Sequence, residues 1–348
     1  MSDLVKIAVD AMGGDGSPKK VIDGIILNHK INANNYFKIF GNKKEIIDLI
    51  NDKINKNYYD VVDTNNVVKS TDSPLEAAKR GKDTSMWLSI ESVKNKDSDI
   101  VISAGNTGAL LVIAKLNLKM IDNIDKPALS ALWPNKKGMS VVLDLGANIE
   151  CSSKNLLDFS IMGASLYKSL YPNENPNVAL LNIGSEELKG NEVIKETFHI
   201  LKKKKSSDFN FSGYIEGNEL MNGIVNVIVA DGFTGNVALK TAEGTANFIT
   251  GELKNALSGS LLGKLSSLLN ISNLKKFKKR LDPRLYNGAI FIGLTSPVVK
   301  SHGGTDYIGF SNSLDVCNRI VKGNLINKIK SNIWFMRINL TKKDLVNL

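Results

Sequence analysis

Short runs of β-branched and other apolar residues alternate with helical patterns along most of the 348-residue chain, and this alternation constrains the fold more than any other feature. The apolar runs lie at residues 5–9, 37–40, 59–62, 99–102, 140–143, 177–181 and 225–229. Between them, apolar residues recur at helical spacing, as at Ile46, Leu49 and Ile50. Because nearly all-apolar runs need cover on both faces, the pattern predicts an α/β three-layer sandwich with a mostly parallel sheet.

The chain shows no internal repeat at a fixed period and no linker rich in Pro or Ser. We therefore predict one large α/β domain over residues 1–333, with a protruding amphipathic helical hairpin inserted at 259–284. Residues 334–348, which begin with Trp334, are interpreted as a C-terminal extension.

The two cysteines, Cys151 and Cys317, are too few for a disulfide framework. Together with the three histidines they match no metal-ligand spacing, so we predict no metal and no cofactor. The first residues lack the basic region and apolar run of a signal peptide, and no stretch approaches the roughly 18 apolar residues of a membrane-spanning helix. We expect a cytoplasmic protein.

Five loops that follow predicted strands combine glycine with Asn, Asp or Ser, at residues 10–15, 103–109, 144–148, 182–186 and 230–236. Ligands of open parallel sheets bind beyond the carboxyl ends of the strands. Glycine lets the backbone approach a ligand closely, and the following helix start attracts anions. Turns before helices also need glycine for their own geometry. We nevertheless expect the five loops to converge at one edge and bind an anion such as phosphate.

These loops carry no complete nucleotide fingerprint. Gly14 and Gly16 lack the third glycine of the dinucleotide motif, since Lys19 occupies that position. Nothing matches the phosphate loop in which two glycines with four residues between them precede Lys and Ser or Thr. Dinucleotide and ATP binding are therefore disfavoured.

The residues resemble the bacterial phosphate acyltransferase family of phospholipid synthesis, of the PlsX type. The resemblance rests on residues 7–15, 103–109, 144–148, 184–192 and 231–237. It implies a cytoplasmic homodimer that contacts the membrane and transfers a long-chain fatty acyl group from acyl carrier protein to inorganic phosphate. The product would be acyl phosphate, for phosphatidic acid synthesis. A fold related to phosphate acetyltransferases and isocitrate dehydrogenases is also implied.

A phosphate dianion is itself a nucleophile near neutral pH, so this reaction needs positioning and charge stabilisation rather than a Ser-His-Asp triad. We place phosphate among Lys189, Asn236 and the loop 105–108, with Asn106, Asn148 or Asn236 donating to the thioester oxygen. The predicted substrate-binding residues are Gly13, Gly14, Asp15, Ser103, Gly105, Thr107, Gly108, Asn148, Gly184, Asp231, Gly232, Thr234, Gly235 and Lys82.

Three of these candidates have a structural alternative. His302 is a candidate general acid for the departing thiol, because an imidazole titrates near neutral pH, but a hydrogen-bonded structural histidine is the favoured alternative. Lys82 contacts phosphate or an acidic carrier protein, or it lies on a solvated face. Lys189 is either a phosphate ligand or a solvated lysine.

Residues 259–284 hold seven basic residues and one acidic residue, a large part of the net charge of +10. An amphipathic basic hairpin suits an anionic membrane surface, and an acidic carrier protein or the dimer partner is an alternative occupant. Aromatic residues are not interleaved with the basic ones, so we predict no nucleic-acid partner. The predicted membrane contacts are Leu261, Leu262, Leu265, Leu268, Leu269, Lys275 and Lys276.

Two further functions remain open on sequence grounds. One is a phosphate acetyltransferase-like enzyme that uses coenzyme A thioesters, although no nucleotide motif supports it. The other is a non-catalytic adaptor at the membrane surface, which would leave the five glycine-containing loops without a role.

Overall fold

The computed structural model describes residues 4–203, 206–260 and 268–338. The strands are β1 (Val5–Asp10), β2 (Asn35–Gly41), β3 (Tyr59–Asp63), β4 (Ile100–Ser103), β5 (Ala128–Asn135), β6 (Gly138–Leu143), β7 (Asn177–Asn182), β8 (Asn210–Glu216), β9 (Val227–Val229), β10 (Ala289–Ile292) and β11 (Val298–Lys300). The helices are α1 (Lys19–Ile31), α2 (Lys43–Ile50), α3 (Pro74–Arg80), α4 (Ser85–Lys94), α5 (Thr107–Asn117), α6 (Ser153–Leu170), α7 (Glu192–Lys203), α8 (Gly232–Ser258), α9 (Ile271–Arg280), α10 (Tyr307–Lys322) and α11 (Leu325–Ile338).

In the described residues, eleven strands form one sheet in the order β3-β2-β1-β4-β11-β10-β5-β6-β9-β7-β8. Neighbours are parallel from β3 to β11 and again from β6 to β8. The pairings of β10 with β11, β10 with β5 and β5 with β6 are antiparallel. The sheet is therefore mostly parallel, as the alternation of apolar runs predicts.

The two parallel groups of strands run in opposite directions, because an odd number of antiparallel pairings separates them. The first group comprises β3, β2, β1, β4 and β11, and the second comprises β6, β9, β7 and β8. We call the edge at the carboxyl ends of the first group the first edge. The edge at the carboxyl ends of the second group is the second edge, and it lies on the opposite side of the sheet.

Helices cover both faces of the sheet, which confirms the three-layer prediction. One face carries a single continuous core, in which Phe159 of α6 and Phe310 of α10 are fully buried. The other face carries two separate cores. Met86 and Leu110 belong to the core under α4 and α5, and Trp133 belongs to the core beside the start of α8. Burial of such apolar side chains is the main stabilising contribution to the fold.

Helix α8 packs against the sheet only at its beginning. Among its 27 residues, Gly232 and Gly235 are the buried ones, whereas Phe248 and Ile249 are exposed. At about 1.5 Å per residue the helix is roughly 40 Å long. Most of α8 therefore extends away from the body that contains the sheet.

The structure bears on two segments predicted from the sequence, the C-terminal extension from residue 334 and the basic segment 259–284. Helix α11 continues through Ile338, so the helix crosses the predicted start of the extension at 334. In the basic segment, α9 carries Lys275 and Lys276 on its exposed surface. Leu261, Leu262 and Leu265 lie outside the described residues. No described helix combines the length and apolar character needed to cross a bilayer.

Candidate active site

The five glycine-containing loops divide between the two edges of the sheet. Loops 10–15 and 103–109 follow β1 and β4 at the first edge. Loops 144–148, 182–186 and 230–236 follow β6, β7 and β9 at the second edge. The expectation that all five converge at one edge of this chain is therefore wrong. The antiparallel β5–β6 hairpin reverses the direction of the second group of strands.

At the first edge, the loops after β1 and β4 pack tightly around Asp10. The Asp10 carboxylate accepts hydrogen bonds of 2.6 Å from both the Ser85 and the Ser103 hydroxyls. A Cβ atom at Gly13 would lie 2.6 Å from the Gly105 nitrogen, so only glycine fits there. Burial raises the pKa of Asp10, although the two hydroxyls and the charge of Lys300 act in the opposite direction.

The side chain of Asn106 is fully used by the fold. Its Oδ1 caps α5 by accepting from the Ala109 nitrogen at 3.1 Å. Its Nδ2 donates to the carbonyl oxygens of Ser70 at 3.1 Å and Asp72 at 3.0 Å. Since an amide has two N–H donors, Asn106 has none left for a thioester oxygen. The predicted catalytic role of Asn106 is not supported by this arrangement.

The remaining candidates of the first edge are more exposed. His302 follows β11; its backbone nitrogen donates to the Asn287 side chain at 2.9 Å, and its Nδ1 accepts from Gly304 at 3.2 Å. Thr107 is exposed at the start of α5, Gly108 packs against Pro74, and Lys82 is exposed between α3 and α4. His302 therefore lies on the edge opposite to Lys189 and Asn236 of the same chain.

At the second edge, Asp144 organises the loop after β6. The buried Asp144 carboxylate accepts from the backbone nitrogens of Leu129, Gly146, Ala147 and Asn148 at 2.8–3.3 Å. It also accepts from the Asn148 side chain at 2.8 Å. The second N–H of that amide donates to the Pro127 carbonyl oxygen at 2.7 Å. Asn148, like Asn106, therefore has no free donor.

The start of α8 lies directly on this loop. Asp231 caps the helix by accepting from the Thr234 nitrogen and hydroxyl, both at 2.8 Å. A Cβ atom at Gly235 would lie 1.9 Å from the Asp144 carbonyl oxygen, and one at Gly232 would lie 2.4 Å from that of Asn148. The two glycines thus allow the helix to contact the backbone of the preceding loop, where the Gly232 nitrogen donates to the Asn148 carbonyl oxygen at 2.8 Å.

Asn236 lies one residue after this contact. It is exposed, and its side chain lies beside Gly146, whose added Cβ would be 3.8 Å from the Asn236 Oδ1. No hydrogen bond of its amide is found within the described residues. Of the three asparagines considered from the sequence, Asn236 is thus the one whose side-chain donors remain available in the described structure.

The loop after β7 is the neighbour of the α8 start, since β7 pairs with β9. Asn182 fixes this loop by donating to the carbonyl oxygens of Gly184 and Lys189, each at 3.1 Å. A Cβ atom at Gly184 would contact the Lys189 side chain at 3.1 Å. Lys189 itself is exposed. The topology therefore brings the Lys189 and Asn236 loops to the same edge.

An open groove of about 370 Å³ lies at the second edge. Its lining is part apolar and part polar: Ile149, Cys151, Leu156, Val193, Ile194 and Phe233 supply apolar surface, and Glu150, Asn191, Asp231 and Thr234 supply polar groups. Burial, reinforced by the charge of Asp144, raises the pKa of the Cys151 thiol to about 11. The thiol therefore stays protonated near neutral pH and is a poor nucleophile.

Lys20 and Lys300 are two buried lysines of the first edge that the sequence analysis does not select. Lys300 ends the apolar strand β11 and precedes Ser301, His302 and two glycines. A lysine at the end of a buried strand, directly before a glycine pair, is the signal that points to it. Lys20 carries no comparable signal, because one lysine in the first turn of a helix is ordinary.

Comparison with known proteins agrees with this architecture. Among solved structures, a phosphotransacetylase from Streptococcus pyogenes matches with a TM-score of 0.60, covering 94% of this chain and 95% of that chain at 14% identity. The likeness shows a fold of the phosphotransacetylase type.

Sequence comparison gives the family. A family model described as "Fatty acid synthesis protein" matches residues 5–328. A phosphate acyltransferase from Pelagibacter ubique is 74% identical over 333 residues, covering 96% of this chain and 100% of the relative. One from Rhodospirillum rubrum is 44% identical over 334 residues, covering 96% and 95%. The chain belongs to the phosphate acyltransferase family of fatty acid and phospholipid synthesis, and it is an acyltransferase.

Proposed function

We propose that this enzyme transfers a long-chain fatty acyl group from acyl carrier protein to inorganic phosphate, and that transfer takes place at the second edge of the sheet. The observation that carries the proposal is the partly apolar groove beside the start of α8, which lies next to the loops that carry Asn236 and Lys189. The apolar side of the groove suits an acyl chain, while Lys189 offers a positive charge for phosphate and Asn236 offers an amide donor.

In the proposed reaction, a phosphate oxygen attacks the carbonyl carbon of the thioester. The tetrahedral intermediate then expels the thiolate of the carrier, which takes up a proton, and acyl phosphate is formed. Lys189 holds phosphate, and Asn236 donates to the developing oxyanion. Holding both reactants in attack geometry contributes about 7–11 kcal/mol in favourable cases, and no covalent acyl-enzyme is required.

Other predicted residues have supporting roles in this proposal. Gly232 and Gly235 place the α8 start, Gly184 leaves room for Lys189, and Asp231 caps the helix by accepting from Thr234. Asn148 positions the loop 144–148 through its bonds to Asp144 and Pro127. These residues shape the site without contacting the reacting atoms.

The basic segment is the proposed contact with the membrane or the carrier. Leu268 and Leu269 are 66% and 82% exposed, and Phe277 is exposed beside the lysines of α9. Exposed apolar residues next to Lys275 and Lys276 suit an anionic lipid surface, at about 1 kcal/mol for each basic residue near the surface. An acidic carrier protein would meet the same charges. A cytoplasmic homodimer that associates peripherally with the membrane belongs to the same proposal.

A second candidate function is phosphate acyl transfer from coenzyme A thioesters, because the fold is of the phosphotransacetylase type. The two candidate functions differ in the acyl donor, so the experiment compares donors. The same long acyl group is offered on acyl carrier protein and on coenzyme A, with and without phosphate, and the product is trapped with hydroxylamine. We expect phosphate-dependent product from the carrier thioester at lower donor concentration. Equal or better use of coenzyme A would favour the second candidate.

Two variants test the proposed residues. Asn236→Ala should lower kcat about 100- to 1000-fold, the usual effect of losing an oxyanion donor. Lys189→Met should mainly raise KM for phosphate. The matched control is Lys195→Met, which removes a lysine of α7 that pairs with Glu192. Unchanged kinetics in both Asn236→Ala and Lys189→Met would contradict the placement of transfer at the second edge.

A further inference from the structure

The first edge holds two buried lysines that the proposed acyl transfer does not use. Lys20 is 9% exposed and Lys300 is 8% exposed. Within the described part of the chain, neither ammonium group forms an ion pair. Buried charges are normally paired or neutralised, because transfer from water into the protein interior is costly. Two buried and unpaired cations in one place therefore require a physical explanation.

Carbonyl oxygens are the partners that the two lysines have. Lys300 Nζ donates to the carbonyl oxygens of Ser301 and, at 3.4 Å, of Ala104. Lys20 Nζ donates to the carbonyl oxygen of Gly303. These oxygens belong to the turns after β4 and β11, so they hold both amines at the carboxyl ends of neighbouring strands. They supply dipoles, but they bring no negative charge.

The electrostatics of the two amines are consistent with a missing counter-charge. Burial, together with the positive charge of Lys20, lowers the pKa of Lys300 to about 8, while Asp10 acts in the opposite direction. Burial also lowers the pKa of Lys20, which Asp15 opposes. The carboxylate of Asp10 is occupied by the Ser85 and Ser103 hydroxyls.

Glycines pack directly against the lysines. A Cβ atom at Gly14 would lie 2.9 Å from Lys20 Nζ and 2.7 Å from the Ala104 carbonyl oxygen, so only glycine fits at this point. Gly105 and Gly303 are half-buried beside it, and Asp15 is exposed. Helix α1 begins at the same place with no side-chain cap and no acidic residue in its first turn. Its free N–H groups add to the positive potential.

We propose that Lys20 and Lys300 form a binding site for a phosphate-type dianion at the first edge, distinct from the loops of the second edge. Two ammonium groups match the charge of a dianion, and a phosphate oxygen accepts stronger, charge-assisted hydrogen bonds from them than a neutral carbonyl oxygen does. The ligand is either free inorganic phosphate or the phosphate group of an acyl phosphate. In both cases the recognised chemistry is the same.

The test measures phosphate binding to the full-length purified chain by isothermal titration calorimetry at constant ionic strength. Lys20→Met and Lys300→Met should each weaken binding of inorganic phosphate about tenfold or more, the usual effect of losing a hydrogen bond to a charged group. Lys19→Met is the matched control, because Lys19 is the preceding residue, is exposed and pairs with Asp23. Unchanged affinity in Lys20→Met and Lys300→Met would overturn the proposal.

A further variant separates this site from the second edge. Lys189→Met should retain phosphate binding at the first edge, even if it lowers acyl transfer. If Lys189→Met alone abolishes phosphate binding, the site at the first edge is refuted while transfer at the second edge stands. Asp15→Asn should tighten phosphate binding, because it removes a negative charge next to Lys20.

Amine labelling of the unmodified chain gives a readout that does not depend on the folding of a variant. An amine-reactive reagent is applied near pH 8, and modified peptides are measured by mass spectrometry. Inorganic phosphate should protect Lys20 and Lys300 and leave Lys19 unprotected. A stable acyl phosphonate is then compared: stronger protection by the phosphonate identifies the acyl phosphate as the source, and protection by phosphate alone identifies the free ion. No protection by either compound would overturn the proposal.

Discussion

Each edge of the sheet has a buried aspartate next to the end of a strand, but the two aspartates have different partners. Asp144 at the second edge accepts mainly from backbone N–H groups of its own loop. Asp10 at the first edge accepts from two serine hydroxyls and lies near Lys300. Burial raises the pKa of both. The Asp144 carboxylate therefore fixes the loop after β6, whereas the Asp10 carboxylate belongs to a polar cluster with Ser85, Ser103 and Lys300.

The largest expected effect tests this difference directly. Asp144→Ala removes the acceptor of four backbone N–H groups, and a buried unsatisfied donor costs about 1–3 kcal/mol. Allowing for partial hydration, we expect the free energy of unfolding to fall by about 4 kcal/mol. Asp10→Ala should cost about half as much, since hydroxyl groups can rotate to other acceptors. Urea unfolding measures both, and equal losses would contradict the comparison.

The contact between α8 and the second edge gives the next effect. Gly235→Ala places a Cβ atom against the Asp144 carbonyl oxygen, so we expect a loss of about 3 kcal/mol from overpacking. The control is Gly244→Ala on the same helix, where an added Cβ meets nothing within 4 Å. That change should stabilise the protein by about 0.5–1 kcal/mol. Thermal unfolding of both variants measures these changes in stability. An unchanged stability of Gly235→Ala would show that α8 does not pack tightly against the Asp144 loop.

The smallest effect concerns pH at the first edge. The pKa of Lys300 is lowered to about 8 in the folded chain, so between pH 8 and 10 the unfolded chain binds a proton that the folded chain does not. The free energy of unfolding contributed by this residue therefore rises with pH. From pH 7.5 to 9.5 the rise should be about 2 kcal/mol.

Lys300→Met removes this contribution, so the variant should lack that part of the pH dependence. Urea unfolding of both proteins at the two pH values measures the difference, with Lys20, Asp10 and Asp15 unchanged as the surrounding charges. An identical pH dependence in wild type and variant would show that Lys300 is not desolvated. Saturating phosphate should reduce the slope in the wild type, because a bound anion raises the lysine pKa.

Much of the fold can be predicted from the sequence, because the apolar runs at 5–9, 37–40 and 177–181 are short, rich in apolar residues and lie between helical patterns. The direction of the second group of strands could not be predicted in this way. It depends on the order of strands in space, which local periodicity does not encode. The local feature that indicates the β5–β6 hairpin is the turn at residues 135–138, which ends in a glycine at φ 147°.

The site shows a similar limit. The sequence selects asparagines as donors, but it does not show which amides the fold already uses. Asn106 and Asn148 are committed to carbonyl oxygens that are distant in sequence, as in the bond from Asn106 to Ser70. Lys20 is buried because α1 packs against the sheet near the turn after β11. Such pairings over long sequence separations appear only in the folded chain.

The long helix α8 links the candidate active site to distant surroundings. Its first turn rests on the Asp144 loop and carries Asn236, and its far end lies about 40 Å away near the basic segment. A straight helix transmits a tilt along its whole length. Any surface that holds the far end therefore also constrains the orientation of the Asn236 amide in the candidate active site.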